Sequence, residues 1–581
     1  MKGAIAMFKL IKKFRLLDLI LFLTLVGLTI AKVFYDLELP NYTGKIVNQM
    51  LYGSKTQEIL NTGVKMLLVS LVSILLQIVI GFLATFIATN FSRRMRMEVF
   101  KKIESFSIEE MSMFETSSLI TRTTNDVQQV QMAFGMSMRL ALSAPITAIW
   151  AILKISNVDI DLSLAVGGAI VSMVLMILII FIIVMPKFKK IQKLTDRLNG
   201  VTRENLTGIR VVRAYDADEY EQNKFKDAND ELTANNIFAN RVMGIMGPAM
   251  NMVMSSISLI VYWLGAYKVA QNLQYSELTK FTSYSMQILM SFVMLSMLLI
   301  MIPRANVSSN RILEVLNTHN KINDPVNPMK MDENSSLEFK NVTFTYPQGH
   351  DAVLHNISFK VSKGETLAII GATGSGKTTL VNLIPRFIDT TEGEVLVNGV
   401  NVRNLIKHDL RDIVGYVPQK RFLFSGTVEQ NIKFGEKIIS DDMMILASKI
   451  ACADEFINNM EDGYKSHIAQ GGKNVSGGQM QRLSIARAVA HEPQIYIFDD
   501  SFSALDYKTD KLVRQNLSEY TKDAIKIIVA QRIGTIMDAD KIIVLDEGRV
   551  VGYGNHKELL NNCDVYQEIA ISQLSKEELG L

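Results

Sequence analysis

Eight consecutive residues, Gly371-Ala372-Thr373-Gly374-Ser375-Gly376-Lys377-Thr378, follow the pattern G-x-x-x-x-G-K-[ST]. Glycines at this spacing let a loop close around phosphates, so that backbone N–H groups and the start of a following helix bind the anion. Gly371, Gly374, Ser375 and Gly376 would form the cradle. Lys377 would reach the β- and γ-phosphates, the Thr378 hydroxyl would ligate Mg²⁺, and Thr379 would lead into the helix. Far downstream, Asp499-Asp500 closes the apolar run Ile495-Tyr496-Ile497-Phe498. Asp499 is placed there to hold the same Mg²⁺, directly or through water.

Such groups need rigid elements to carry them. The apolar stretch Thr366–Ile370 reads as a strand leading into the loop, and Thr379–Leu383 reads as the helix leaving it. Leu337–Phe344 opens a region in which strands alternate with helices, the pattern of an α/β domain, expected over 336–571. The stretch 311–335, rich in Asn and Asp with Pro325 and Pro328, suits a linker, and 572–581 is left as a tail.

Between the two phosphate motifs lies Val475-Ser476-Gly477-Gly478-Gln479. At this point the chain resembles the ATP-binding cassette transporters, whose LSGGQ signature it matches at Ser476, Gly477, Gly478 and Gln479, with Val475 at the first position. The resemblance implies that Tyr346 stacks on adenine. It implies that Gln419, in Tyr416-Val417-Pro418-Gln419, joins the metal site and links nucleotide state to the membrane domain. It also implies that Asp506, in Ser503-Ala504-Leu505-Asp506, belongs to a loop crossing the interface between paired cassettes. In that family ATP lies between one cassette's phosphate loop and the other's signature, so each chain serves two sites. ATP and Mg²⁺ are the implied ligands.

Two positions depart from the family pattern. The general base after the Mg²⁺-binding aspartate is usually Glu; here it is Asp500, one methylene shorter. A base must reach its proton, and a deficit of about 1.5 Å removes much of a contribution of about 10²–10⁴-fold. The usual His is Gln531, a neutral amide that cannot become cationic. The site on Lys377 is therefore expected to bind ATP and hydrolyse it slowly. The intact signature would serve a partner's competent site, as in one subunit of the bacterial heterodimeric multidrug exporters, which this chain resembles. A homodimer with a weak base, a lipid flippase and a nucleotide-gated channel or regulatory subunit are the rival readings. Ala469 stands where the family's exporters often carry Glu.

The 581 residues are 48% hydrophobic and 20% charged, with a mean hydropathy of +0.19. A disordered chain is excluded by that hydrophobicity. The near balance of 61 basic and 58 acidic residues leaves no basic field for nucleic acid. Two cysteines, Cys452 and Cys563, cannot form a disulfide scaffold. Apolar runs at Leu16–Leu39, Val64–Thr89, Met132–Ile155, Leu162–Met185, Met246–Val269 and Phe281–Ile302 are each long enough to cross a hydrocarbon core of ~30 Å. The expected fold is thus a membrane domain of six helices over 1–310, with long cytoplasmic helical extensions, fused to the α/β nucleotide-binding domain. Lys and Arg are concentrated before the first run, between the second and third, and between the fourth and fifth. Their bias places both termini in the cytoplasm of a multi-pass protein, expected in a bacterial cell membrane. Residues Ser107–Phe114 and Ala214–Glu219, in the long connections, read either as short helices at hairpin tips or as solvated loops.

Met286, Met290, Met294, Met297 and Met301 fall on one helical stripe, as do Met243, Met246, Met250 and Met254. Methionine adapts to varied apolar ligands, so these stripes are either a cavity wall for small amphiphilic substrates or ordinary helix packing. Arg139, within the third run, is costly in lipid and is a candidate for substrate contact or a structural ion pair.

Overall fold

The structure, a computed structural model, describes residues 5–574 and 579 apart from positions 157, 271–272, 333–334, 348 and 436. Most of the expected tail and two linker positions lie outside the described residues. The chain forms two compact units, Met1–Ser105 with Phe114–Thr318, and Phe106–Met113 with His319–Leu581.

In the first unit the six apolar runs form helices over Leu16–Leu51, Thr56–Glu104, Thr116–Ser156, Ile160–Thr207, Asp218–Ala270 and Tyr275–Asn317, all long and apolar enough to cross a membrane. At a rise of ~1.5 Å per residue each exceeds a bilayer core, so the spans continue as polar helices through 90–131 and 186–245, as expected. Their outer faces carry bare Leu67, Leu68, Leu71, Leu75 and Ile78, a surface suited to lipid. Val33, Ile155, Leu162, Phe281 and Ile288 join in the core between helices.

Polar groups fasten the third helix to the sixth. The third widens into a π-helical turn over Arg122–Asp126. There Ser308 donates to Asp126 Oδ1 at 2.6 Å, and Arg122 donates to the Arg311 carbonyl at 3.2 Å and pairs with Glu314 at 2.8 Å. The sixth helix runs to Asn317, past the boundary expected at 310. Ile312 and Val315 are fully buried there and keep the helix period going.

The first hairpin tip is a short helix, Ile108–Ser112. Ser107 caps it, Glu110 Oε2 accepts from the Ser107 N–H at 2.7 Å, and Glu110 Oε1 accepts from the Lys321 N–H at 3.0 Å. These contacts place 106–113 in the second unit rather than in the expected 1–310 domain. At the second tip the loop alternative is the one found, over 215–217 of the expected stretch. A short helix occupies Ile209–Ala214, and Tyr215-Asp216 forms the turn, with Asp216 at φ +50°.

The second unit has the expected α/β form. A six-stranded sheet runs in the order Arg549–Gly554, Lys541–Asp546, Thr366–Ile370, Ile525–Val529, Ile495–Asp499, Val414–Val417. A four-stranded antiparallel sheet holds Leu354–Ser362, Ser336–Phe344, Glu392–Val397 and Val400–Asn401. In the large sheet five strands run parallel and Arg549–Gly554 antiparallel, and Val529 is in register with both Ile369 and Asp499. Three chain segments therefore leave the sheet at one level: the loop from Gly371, the pair Asp499-Asp500, and the segment reaching Gln531. The crevice beyond the carboxyl ends of parallel strands is where open α/β sheets bind ligands.

Candidate nucleotide site

The loop begins where the Thr366–Ile370 strand ends. A Cβ on Gly371 would lie 2.0 Å from the Leu545 carbonyl oxygen, so only glycine fits the close approach. Gly376, at φ +97°, turns the chain into the helix Lys377–Asn382. Lys377 Nζ donates to the carbonyls of Gly371 at 2.8 Å and Ala372 at 2.7 Å, which seats the ammonium over the loop. Burial pulls its pKa down, against the opposing pull of Asp499 and Asp500. The Ser375 hydroxyl is buried without a partner among the described residues. A glycine cradle, a seated cation and an orphaned donor together fit a polyphosphate.

Asp499 is 1% exposed. Burial raises its pKa, and the Asp500 charge adds to the shift. Thr378 Oγ1 donates to Asp499 Oδ1 at 3.2 Å, so the two expected Mg²⁺ ligands are side by side. A hydroxyl beside a buried carboxylate matches the oxygen donors that magnesium takes next to phosphate. Tyr416 donates to Asp499 Oδ2 at 3.4 Å and to Asn382 at 3.1 Å. Neither Tyr416 nor Asn382 was singled out by the motifs. The alternation of the Val414–Val417 strand gives only a face, and what that face meets is set by the neighbouring strand. Gln419 lies exposed beyond this strand, and no contact among the described residues joins it to Thr378 or Asp499.

Asp500 takes φ +49°, and its N–H donates to the Val529 carbonyl at 2.9 Å. Gln531 Nε2 donates to Asp500 Oδ2 at 3.3 Å. The two departures from the family pattern are thus neighbours, and each meets part of the other's hydrogen-bonding capacity. Tyr346 bonds its hydroxyl to that of Thr379 at 3.0 Å. Its ring is 40% exposed in the wall of a cavity of about 540 Å³ shared with Ile108, Met113, Lys321 and Ile388.

Ser476, Gly477, Gly478 and Gln479 lie apart from this cluster, at the start of the helix Gly477–Ala490. Gln479 N–H donates to Ser476 Oγ at 3.2 Å, and Ser476 N–H donates to Gln479 Oε1 at 2.9 Å. Ser476 and Gly477 are exposed. The helix spans 14 residues, and its first turn is set by this capping box. Asp506 caps the helix Tyr507–Tyr520 by accepting from Thr509 N–H at 3.0 Å, and that bond holds its carboxyl below the usual range. Ala469 N–H donates to Asn474 at 2.8 Å.

In the first unit a cavity of about 520 Å³ is walled by Phe181, Val184, Phe188 and Met246, with Gln192 and Arg304 also at its lining. Of the two methionine stripes, Met243 and Met246 reach it. Met286, Met290, Met294 and Met297 do not line it. They stand 36–55% exposed, because the period of the sixth helix turns them to the unit's surface. Arg139 is half-buried, and its Nε donates to the Gly135 carbonyl of its own helix at 3.2 Å.

The chain has been compared with known proteins. Residues 21–292 match the ABC transporter transmembrane region, and residues 354–503 match the family described as ABC transporter. An uncharacterized ABC transporter ATP-binding protein of Mycobacterium tuberculosis is 37% identical over 97% of both chains. Another, of Bacillus subtilis, is 33% identical over 95% of this chain and 96% of its own length. The fold matches a solved bacterial Atm1-family ABC exporter with ATP bound, with a TM-score of 0.81, 24% identity, and coverage of 95% of this chain and 97% of that one.

Proposed function

We propose a specific role for a chain that belongs to the ABC transporter family: it is the half of an ATP-driven exporter that holds ATP firmly at its own phosphate loop and hydrolyses it slowly. The observation that carries this reading is the pairing of Asp500 with Gln531 at 3.3 Å beside a complete cradle. Gly371–Gly376 wrap the phosphates, Lys377 turns from its own carbonyls to the outer phosphates, and Tyr346 packs against adenine. Thr378 and Asp499 would hold Mg²⁺, with Gln419 brought in on closure; the ion neutralises phosphate charge when bound. Asp500 is short of the attacking water's reach, and its carboxylate is engaged by an amide in place of an imidazole.

The signature at Ser476–Gln479 then acts on the phosphate loop of a second exporter half, which supplies the longer carboxylate and the histidine. A heterodimer follows from this division. ATP binding closes the pair of cassettes, and hydrolysis at the companion's site reopens them. The cargo is a small amphiphile. The cavity beside Phe181, Val184 and Met246 supports that class, because apolar walls with a few polar groups suit it. The excess of Lys and Arg in the connections supports cytoplasmic termini in a bacterial cell membrane.

Restoring the longer base and the imidazole, Asp500→Glu with Gln531→His, tests the reading. Hydrolysis at this chain's site is expected to rise by roughly 10²-fold. No rise would show that the two side chains are not what limits it.

A further inference from the structure

The segment carrying Gln531 is anchored in the core on either side, by Ala530 and Ile533, and is open between them. Gln531 and Arg532 are exposed, and the segment borders a gap of about 600 Å³ lined by Asp500, Ser503, Tyr507 and Gln573, among others. Beside the bond from the Ala530 N–H to the Ile369 carbonyl, one side chain from a distant helix bonds to this backbone twice. Gln573 Oε1 accepts from the Ile533 N–H at 2.8 Å, and Gln573 Nε2 donates to the Gln531 carbonyl at 2.8 Å. The two bonds bracket Arg532, whose Nη2 donates to the Ser503 carbonyl at 3.4 Å.

Gln573 is the last residue of the helix Asp564–Gln573. That helix is anchored by Tyr566 and Ala570, both fully buried in the core of the unit. A core-anchored helix thus ends in an amide that fits both a donor and an acceptor on either side of the exposed Arg532. From the far side of that loop Gln531 reaches Asp500.

We propose that Gln573 is a positioning residue. Through its paired bonds to Gln531 and Ile533 it sets where the Gln531 amide stands against the terminal phosphate, and so how long ATP is retained on this chain. It touches neither nucleotide nor metal. The proposal rests on the reading that Gln531 faces the bound phosphate, and the experiment separates the two.

The rate at which ATP leaves this chain's site is measured by chase in the full assembled transporter. The variants are Gln573→Ala, Gln573→Met, Gln531→Ala and the double Gln573→Ala with Gln531→Ala. Gln573→Ala is expected to speed release about fivefold, the scale of a net hydrogen bond lost. Gln573→Met keeps the side chain's length without its hydrogen bonds and is expected to match alanine. The double variant is expected to release ATP no faster than Gln531→Ala alone, because both changes act through one amide. An unchanged rate in Gln573→Ala, with a faster one in Gln531→Ala, would overturn the proposal and leave the reading of Gln531 standing. So would a wild-type rate in Gln573→Met, or additive effects in the double variant, since these would mean packing alone. No effect of Gln531→Ala would overturn the reading of Gln531 itself, and with it the role of Gln573.

Discussion

The phosphate loop and the signature turn are both glycine-rich segments that open a helix, yet they are completed differently. At the loop, Lys377 bonds to the Gly371 and Ala372 carbonyls and Thr378 bonds to Asp499, so its working groups are gathered by their own chain. At the turn, the side chains of Ser476 and Gln479 each accept from the other's backbone N–H, and Ser476 and Gly477 lie open. A segment that converges on its own neighbours is built around a ligand of its own. A segment that is capped, exposed and finished presents its helix start to something beyond the chain. Asp500 and Gln531 sit with the first, so under the proposed division damage to the two regions should have unequal consequences for turnover.

The sharpest contrast comes from Gly477→Trp, which places a bulky group on the exposed turn. Turnover of the assembled transporter is expected to fall about 10²-fold, the scale of a misplaced reacting group, while ATP stays bound on this chain. Normal turnover would remove the signature from the companion's site. Lys377→Ala should weaken ATP binding on this chain by roughly tenfold to thirtyfold, read by equilibrium binding, because a charged donor to phosphate is lost. Asp500→Asn should change turnover by no more than about twofold. A general base is worth about 10²–10⁴-fold only where it is working, so a collapse of ATPase activity would make this site the engine. The smallest effect is that of Ser476→Ala. Loss of the cap should loosen the helix start by about 1 kcal/mol, seen as faster hydrogen exchange at the Gln479 amide.

The same contrast explains what could be read from the sequence. Residues 371–378 stood out because phosphate chemistry fixes residue type at short spacing, residues 476–479 only through resemblance to a family signature, and the six spans because a bilayer fixes apolar length. Tyr416, Asn382 and Gln573 did not. Tyr416 and Gln573 reach the site from distant segments, through the register of the sheet and the end of a helix, and Asn382, on the loop's own helix, meets Tyr416 only through that register; no local pattern encodes these meetings. Helical period groups Met286, Met290, Met294 and Met297 on one face, but period does not say what a face meets; of the two stripes read as cavity wall or helix packing, Met243 and Met246 line the cavity. The boundary at 310 moved to Asn317 because Ile312 and Val315 continue the buried stripe.

The most direct measurement is the identity of the nucleotide carried by this chain while the assembled transporter is turning over. Intact triphosphate is expected, recovered on this polypeptide after many cycles. Diphosphate accumulating on it at the pace of the whole assembly would make this chain's site a working one and overturn the proposed division.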